Sequence, residues 1–337
     1  MGTIVSWMLA AAAIGAFAVT ALSGCFVIPA LRRLHFGQTI RESGPTWHNK
    51  KQGTPTMGGL CFIFGILVSC GLVYVGFRRY APDLLGTAQV RAAMLALFLA
   101  FGSGFIGFLD DYIKVVRHRN LGLVAWQKLI MQFLVTAGFM LGLHAQGLMT
   151  TLISLPFVGT VDLGWLYYPI AFFGIIFLVN AVNLTDGLDG LCSCVTFVSM
   201  LGYLLAASML GFYHVSVLAA ATAAAAAGFL VWNFYPAKVF MGDTGSMFFG
   251  GMVTALAFIM GRPELVLFFG IVYIWEAMTV VIQRVYYKLT HGKRIFRMTP
   301  IHHAFEMRGW REVKIDFFFS LIAIAGVALG LMYIYLV

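Results

Sequence analysis

The sequence predicts an all-α integral membrane protein, a single domain over residues 1–337 with ten transmembrane helices. Three observations predict this class. Hydrophobic residues make up 61% of the chain and charged residues 10%, whereas soluble domains have roughly 45–50% and about 25%. Apolar stretches of about twenty residues, enough to cross a hydrocarbon core of about 30 Å as a helix, recur along the chain. Basic residues are concentrated in alternate loops.

Ten apolar stretches, separated by polar breaks, define the predicted helices. In chain order they are residues 4–30, 57–77, 90–109, 129–147, 165–182, 191–211, 214–232, 246–261, 265–287 and 316–336. The first stretch is too long for a signal peptide and has no basic segment before it. We therefore expect it to be a retained helix.

The loops between these stretches alternate in charge. Most of the 22 Lys and Arg residues fall in residues 32–51, residues 114–128, Lys238 and residues 284–314. The other loops are short or poor in charge, namely residues 78–91, residues 146–164, the turn near Gly211 and residues 262–264. Because cytoplasmic loops are enriched in Lys and Arg, the basic loops are predicted to be cytoplasmic and both termini outside. The net charge of +9 follows partly from this asymmetry, so it does not require a nucleic-acid partner.

Nine of the thirteen acidic residues fall on or beside the predicted cytoplasmic loops. Asp110 and Asp111 close the third stretch, and Lys114 lies four residues beyond Asp110 on the same helical face. Two adjacent carboxylates at a membrane boundary repel each other, which a divalent cation or a shared proton would relieve. Ordinary interfacial polarity with an internal ion pair explains this segment equally well.

Two further polar segments follow apolar stretches. Residues 180–191 place Asn183, Asp186 and Asp189 among glycines, which allow a tight turn and close backbone approach. Such a density of oxygen ligands favours function over a plain loop. In residues 233–246, Asp243 lies in a glycine-flanked turn before the eighth stretch, where a helix N-terminus favours phosphate or a Mg²⁺–phosphate complex. Phe240 could stack on a base or be an interfacial aromatic residue.

Adjacent histidines and a basic threonine-containing segment complete the set. His302 and His303 suit phosphate contact or proton transfer, and zinc is disfavoured because no Cys or further His has zinc-like spacing. Lys51 and Thr56 precede the second stretch and could contact phosphate. The topology places all five segments at the cytoplasmic face. Oxygen ligands together with Lys and His favour Mg²⁺ and phosphate over a soft metal, so we predict Mg²⁺-dependent phosphoryl transfer at that face.

These motifs, in this order, resemble those of the polyprenyl-phosphate N-acetylhexosamine-1-phosphate transferases. The resemblance covers nearly the whole chain. Two stretches favour the phospho-N-acetylmuramoyl-pentapeptide transferase branch, namely Gly-Thr-Pro-Thr-Met-Gly-Gly within residues 51–59 and Pro-Ile-His-His from Pro300. The family commonly has three consecutive histidines, whereas this chain has Ala304 at the third position. The resemblance therefore says less about the histidine motif as a unit.

The resemblance implies transfer of phospho-MurNAc-pentapeptide from UDP-MurNAc-pentapeptide to undecaprenyl phosphate, which forms lipid I and UMP in peptidoglycan synthesis. It implies Mg²⁺ as cofactor, ten helices with outside termini, a multi-pass location in the bacterial inner membrane with the active site facing the cytoplasm, and a homodimer as one possible assembly. Both direct attack by the lipid phosphate and a two-step route through an aspartyl-phosphate are compatible with these residues.

The resemblance also implies residue roles. Asp110, Asp111, Asp243 and His302 are expected to be catalytic, with Asp110 as the base toward the lipid phosphate and Asp243 as the metal ligand. The implied substrate-binding residues are Lys51, Thr56, Lys114, Lys128, Asn183, Asp186, Asp189, Asn233, Phe240 and His303, with Phe240 stacking on uracil.

Two alternatives stay open. One is a UDP-GlcNAc:polyprenyl-phosphate GlcNAc-1-phosphate transferase, which keeps the chemistry and changes the sugar. The other is a secondary transporter, since ionisable residues and glycine-broken helices also mark transport sites. The clustering of charges at one face and the lack of an internal repeat count against the transporter.

Overall fold

The computed structural model describes residues 2–34, 51, 53–117, 122–155 and 158–336. Much of the predicted basic loop 32–51, including Glu42 and Lys50, lies outside these residues, as does the middle of the loop 114–128. All fourteen predicted site residues fall within the described ranges.

The described residues are predominantly helical. The helices are α1 (Gly2–Arg33), α2 (Gly59–Tyr80), α3 (Thr87–Val116), α4 (Ala125–Ala145), α5 (Tyr167–Thr185), α6 (Leu191–Leu210), α7 (Tyr213–Asn233), α8 (Gly242–Ile259), α9 (Leu265–Phe269), α10 (Ile271–Leu289), α11 (Ile301–Glu306) and α12 (Glu312–Leu336). Within the described ranges, eight helices are long and apolar enough to cross a membrane, namely α1 to α7 and α12. This is the architecture expected of a multi-pass membrane protein.

The eighth and ninth predicted helices differ from the structure. α8 begins at Gly242, four residues earlier than predicted, so Asp243 lies in its first turn. The predicted helix 265–287 is divided, because α9 ends at Phe269 and α10 begins at Ile271. Gly270, between them, donates its N–H to the Val266 carbonyl at 2.8 Å, and a Cβ atom on it would lie 2.7 Å from that oxygen. The prediction of one uninterrupted helix there is wrong.

A short hairpin interrupts the helical pattern in the predicted outer loop 146–164. Strands β1 (Leu152–Leu155) and β2 (Gly159–Asp162) pair antiparallel, with Leu152 opposite Asp162. The Tyr333 hydroxyl of α12 has two acceptors within hydrogen-bonding distance for its single hydrogen, the Ser154 carbonyl and Glu264 Oε1 at 3.0 Å. The sequence analysis did not predict these strands, since four residues are too few for an alternating pattern to stand out.

Helix α8 lies at the centre of the fold, and all its residues from Thr244 to Ile259 are buried. Small residues let α3 approach it closely. A Cβ atom on Gly251 of α8 would lie 2.7 Å from the Ala100 Cα of α3, and one on Gly104 of α3 would lie 3.3 Å from the Thr244 carbonyl oxygen. Close approach through small residues is characteristic of helix pairs in membranes. It places the first turn of α8 against the end of α3, where the aspartate pair lies.

Candidate active site

Three carboxylates converge where α3 meets α8. One oxygen atom from each of Asp110, Asp111 and Asp243 lies within 4.8 Å of the others. Gly107, one turn before the pair, makes this possible, because a Cβ atom there would lie 2.1 Å from the Asp243 carbonyl oxygen. The structure therefore brings together two motifs that lie far apart in the sequence.

Each carboxylate of the α3 pair has one oxygen held by a neutral donor. Asp110 Oδ1 accepts the backbone N–H of Leu123 at 2.8 Å. Asp111 Oδ2 accepts both the backbone N–H and the hydroxyl of Thr244, at 2.9 Å and 2.7 Å. The bond from the Thr244 N–H satisfies a backbone donor in the first turn of α8. Such a donor has no acceptor within its own helix. Asp111 thus fixes the start of α8 as well as facing the cluster.

In Asp243, too, one carboxylate oxygen accepts from a neutral donor and the other faces a charged group. Its Oδ1 accepts a hydrogen bond from Asn183 Nδ2 at 3.0 Å, and the same amide group donates to Ser246 Oγ at 2.8 Å. Its Oδ2 forms an ion pair with Lys128 of α4 at 2.9 Å. Four segments of the chain therefore meet at this carboxylate.

The second oxygen of all three carboxylates faces one ammonium group. Lys114 Nζ lies 2.5 Å from Asp110 Oδ2, 3.7 Å from Asp111 Oδ1 and 3.3 Å from Asp243 Oδ2. With Lys128 included, two positive charges face three carboxylates, which leaves one negative charge when all are ionised. Converging carboxylate oxygens with a net negative charge are what a hard divalent cation requires.

A second polar group joins the segment before α2 to the loop after α5. Lys51 Nζ lies 2.7 Å from Asp189 Oδ1 and 2.6 Å from Glu312 Oε2. Glu312 Oε2 also accepts the Asp189 backbone N–H at 2.9 Å, while Asp189 Oδ2 accepts the Ala237 N–H at 2.9 Å. Burial by itself lowers the pKa of Lys51, but the bonds to the two carboxylates outweigh it, so the pKa is raised. Sequence reasoning did not assign a role to Glu312.

Thr56 and Phe240 lie where the segment before α2 pairs with the segment before α8. Gly58 N–H donates to the Phe240 carbonyl at 2.8 Å, and Phe240 N–H donates to the Pro55 carbonyl at 2.9 Å. Thr56 is 8% exposed, and a Cβ atom on Gly242 would lie 2.7 Å from its hydroxyl. Gly242 has φ +70°, a conformation that favours glycine. The Phe240 side chain is half-buried beside the first turn of α8.

Asn233 is placed behind this loop. It is buried, and its amide accepts from Ser193 Oγ at 3.1 Å and donates to the Val239 carbonyl at 3.0 Å. These bonds give it a role in holding the segment that carries Phe240.

Asp186 lies in the loop between α5 and α6, beside Asp189. Burial raises the pKa of its carboxyl group well above the usual range, and the nearby carboxylates of Asp243, Asp111 and Asp189 raise it further. The folded state then holds this proton more tightly than the unfolded chain, so the free energy of unfolding falls as pH rises from the usual carboxyl pKa through the raised one.

We expect Asp186→Asn to raise the melting temperature by about 2–4 °C at neutral pH, the shift that about 1 kcal/mol produces. The amide keeps the shape of the side chain and removes the charge. The gain over the unsubstituted protein should grow as pH rises above the usual carboxyl pKa. Thermal unfolding of both proteins in lipid nanodiscs, from acidic to neutral pH, measures this, and equal melting temperatures throughout would contradict it.

The two histidines lie on α11 and have different surroundings. His302 is fully buried, and its Nδ1 lies 3.1 Å from Glu276 Oε1 of α10. His303 Nδ1 lies 2.7 Å from Glu306 Oε2. Ala304, where the family commonly has a third histidine, is buried. A Cβ atom on Gly187 would lie 2.2 Å from His302 Nε2, so His302 contacts the loop that carries Asp186 and Asp189.

The structure thus arranges most of the predicted residues in three neighbouring groups, while Thr56, Phe240 and Asn233 lie at the segment before α8. The carboxylate–lysine cluster contains Asp110, Asp111, Asp243, Lys114, Lys128 and Asn183. The Lys51–Asp189 group and the His302 group both adjoin the loop after α5. Sequence reasoning missed roles for Thr244, Glu276 and Glu312, and the only signal for the two glutamates was a charge in or beside an apolar stretch.

Comparison with known proteins gives matches over most of the chain. The family described as "Glycosyl transferase family 4" matches residues 92–261, and "Phospho-N-acetylmuramoyl-pentapeptide-transferase signature 1" matches residues 51–63. A phospho-N-acetylmuramoyl-pentapeptide-transferase of Halalkalibacterium halodurans is 43% identical over 89% of this chain and 89% of its own length. Proteins of the same name from Shouchella clausii and Clostridium perfringens strain SM101 are 41% and 43% identical, over 96% and 91% of this chain and 98% and 91% of their own lengths.

Proposed function

Since the chain belongs to the phospho-N-acetylmuramoyl-pentapeptide-transferase family and is therefore a phosphoglycosyl transferase of the membrane, we propose that it transfers phospho-MurNAc-pentapeptide from UDP-MurNAc-pentapeptide to undecaprenyl phosphate. The products are lipid I and UMP. In this reaction a bond forms between the β-phosphorus of the donor and an oxygen of the lipid phosphate, and the bond from that phosphorus to the oxygen bridging to UMP breaks.

The observation that carries this proposal is the convergence of Asp110, Asp111 and Asp243 on one ammonium group, with Lys128 beside them. Phosphoryl transfer depends mainly on positioning and on neutralising charge at the transferred group. Lys114 and Lys128 supply positive charge for the two phosphates of the donor. Asp110, at the end of α3, is the proposed base toward the lipid phosphate.

The carboxylate cluster fits Mg²⁺. Its donors are hard carboxylate oxygens, and each carboxylate keeps one oxygen directed into the cluster after its neutral hydrogen bonds are made. Asp243, with Asp110 and Asp111, would hold the ion. When bound, Mg²⁺ would neutralise charge on the transferring phosphoryl group. Lys114, Lys128 and Asn183 would keep the carboxylates in place.

The residues proposed to bind the UDP-linked donor, and the two histidines, are given their roles from where they lie in the structure. We propose that Asn183, Asp186 and Asp189 bind the nucleotide part of the donor, because the loop after α5 joins the carboxylate cluster to Lys51. Phe240 offers a half-buried ring at the same place, suited to stacking on uracil. Thr56, Lys51 and His303 are further proposed substrate contacts, Asn233 holds the Phe240 segment, and His302 is the proposed catalytic histidine.

We also propose ten spans with both termini outside. α8 and the α9–α10 pair are the remaining two, in addition to the eight long apolar helices. α8 is buried along its length, so it needs no apolar surface toward lipid. The alternation of basic loops supports the proposal that the carboxylate cluster lies at the cytoplasmic face of the bacterial inner membrane.

A single assay tests the reaction. Purified protein in nanodiscs receives undecaprenyl phosphate, Mg²⁺ and either UDP-MurNAc-pentapeptide or UDP-GlcNAc, and released UMP is measured. We expect UMP from the first donor alone, and none after chelation of Mg²⁺. UMP released from UDP-GlcNAc alone would show that the donor sugar is GlcNAc. UMP released from neither donor would overturn the proposed reaction.

The same assay tests the orientation. In sealed inside-out membrane vesicles, the cytoplasmic face is outward, so added donor should be turned over without detergent. In right-side-out vesicles, turnover should require permeabilisation. The opposite pattern would overturn the proposed topology while leaving the chemistry intact.

A further inference from the structure

A fully buried acid–histidine pair lies beside the loop after α5, residues 186–190, which we call the donor loop. The proposed function gives a role to the histidine of this pair but none to the acid. Glu276 and His302 are both 0% exposed. They come from different helices, α10 and α11, and approach to 3.1 Å between Glu276 Oε1 and His302 Nδ1. Within the described part of the chain, neither side chain makes a hydrogen bond, so this ion-pair contact is the polar contact that the two share.

Because each side chain has, among the described residues, only the other as a polar contact, the two depend on each other. A carboxylate removed from water without a partner is costly, and the imidazole is the one polar group of the described residues placed to offset that cost. An acceptor at one ring nitrogen determines which nitrogen carries the proton. A carboxylate at Nδ1 favours the proton on Nδ1, which leaves Nε2 as the free acceptor.

The opposite edge of the ring faces the donor loop. A Cβ atom on Gly187 would lie 2.2 Å from His302 Nε2, so only glycine leaves room for the ring in this position. Gly187 lies between Asp186 and Asp189 of that loop. The ring is thus held between a carboxylate on one side and the loop backbone on the other.

Comparison with His303 shows how the carboxylate partner of His302 differs. His303 finds its carboxylate on its own helix, three residues later, at Glu306. Glu276 reaches His302 from a separate helix, which begins after the break at Gly270. The orientation of His302 therefore depends on how α10 is placed.

We propose that Glu276 is a positioning residue for His302, holding Nδ1–H toward its own carboxylate and presenting Nε2 to the donor loop. This inference rests on the proposed function. Glu276 touches neither substrate nor metal in this scheme and acts only through the histidine. Carboxylates that orient a histidine in this way are worth about 10–100-fold in activity at metal sites.

The test compares three substitutions by steady-state UMP release in nanodiscs. Glu276→Leu keeps bulk and removes the acceptor, so kcat should fall by about tenfold or more while KM for the UDP-linked donor stays within about twofold. Glu276→Gln keeps an oxygen that can accept from Nδ1–H, so most of the kcat should return. Thr279→Val is the matched control, because Thr279 is buried one turn later on α10 and its hydroxyl donates only to the Glu276 backbone carbonyl. It should leave both constants within about twofold.

Two outcomes would overturn the proposal: a kcat for Glu276→Leu within about twofold of the unsubstituted protein, or equal losses in the Leu and Gln variants. If Glu276→Leu does not fold, Glu276→Asp takes its place, since withdrawing the carboxylate by one methylene group should cause the same selective loss of kcat. Gly187→Ala gives an independent check. It displaces the ring from the other side, and combining it with Glu276→Leu should add little further loss.

A readout that does not need turnover separates this inference from the proposed function. In protein with ¹⁵N-labelled histidine, the resonances of His302, identified by their loss in His302→Gln, should show Nδ1 protonated and should change in Glu276→Leu but not in Thr279→Val. An unsubstituted protein that releases no UMP would overturn the proposed reaction alone. A proton on Nε2 would overturn the role of Glu276 alone.

Discussion

Replacing Asp243 with Asn is expected to abolish Mg²⁺-dependent UMP release, with kcat falling by about a thousandfold or more. Asp243 supplies one of three converging carboxylates and faces both Lys114 and Lys128. An amide offers one neutral oxygen, so the cluster of three carboxylates and two ammonium groups loses its net negative charge. The two remaining carboxylates are then balanced by the two ammonium groups, so the electrostatic attraction for a divalent cation falls sharply.

The measurements are UMP release across a Mg²⁺ titration and direct binding of Mg²⁺ by calorimetry. The matched control is Asp83→Asn, a carboxylate in the short helical turn Pro82–Leu84, which should leave turnover within about twofold. Near-normal turnover in Asp243→Asn would remove Asp243 from the proposed metal site. Normal Mg²⁺ binding with lost turnover would assign it to catalysis without the metal.

Replacing Gly107 with Ala is expected to cost both stability and activity. The added Cβ atom would lie 2.1 Å from the Asp243 carbonyl oxygen, 2.3 Å from its carbonyl carbon and 2.7 Å from the Thr244 nitrogen. All three are backbone atoms, so no side chain can move aside, and α3 and α8 must separate. Overpacking of this kind costs about 1–3 kcal/mol. Displacing the Asp243 carboxylate by about 1 Å can reduce turnover by about a hundredfold.

Melting temperature and UMP release in nanodiscs measure the two effects. The matched control is Gly71→Ala in α2, where a Cβ atom would meet nothing within 4 Å. That variant should keep full activity and gain about 0.5–1 kcal/mol at most, since alanine favours helix over glycine. Equal behaviour of the two variants would show that the contact between α3 and α8 is not as close as described.

The long helices were predictable because hydropathy is a property of the chain alone. α1, α2, α4 to α7 and α12 begin and end within about four residues of the predicted spans. α3 continues to Val116, seven residues beyond its predicted end, so the aspartate pair lies inside the helix. The division at Gly270 was not predictable, because a single glycine within an apolar stretch is compatible with an unbroken helix. Whether the helix continues depends on its neighbours, and the carbonyl of Phe268 lies 2.4 Å from where a Cβ atom on Gly326 of α12 would be.

The residues of the candidate site likewise fall into those that the sequence indicates and those that it does not. Asp110, Asp111 and Asp243 stand out in the sequence because carboxylates at the ends of apolar helices need a partner. Their hydrogen-bond donors do not stand out, because Thr244 and Leu123 donate backbone N–H groups that every residue except proline possesses. Glu276 and Glu312 acquire their roles only from distant segments of the chain that pack beside them. Residue type thus indicated the acids, and tertiary contacts alone could indicate their partners.

The ion pair between Lys51 and Glu312 joins residues that are 261 positions apart. During synthesis, Lys51 and Asp189, which also pair directly with each other, emerge well before the Glu312 carboxylate that contacts both of them. Glu312 is the first residue of α12, so the segment before α2 and the loop after α5 are joined through it only once translation has reached the last helix. The order in which ribosomes deliver the chain to the membrane makes the donor side of the site one of the last parts of the molecule to be assembled.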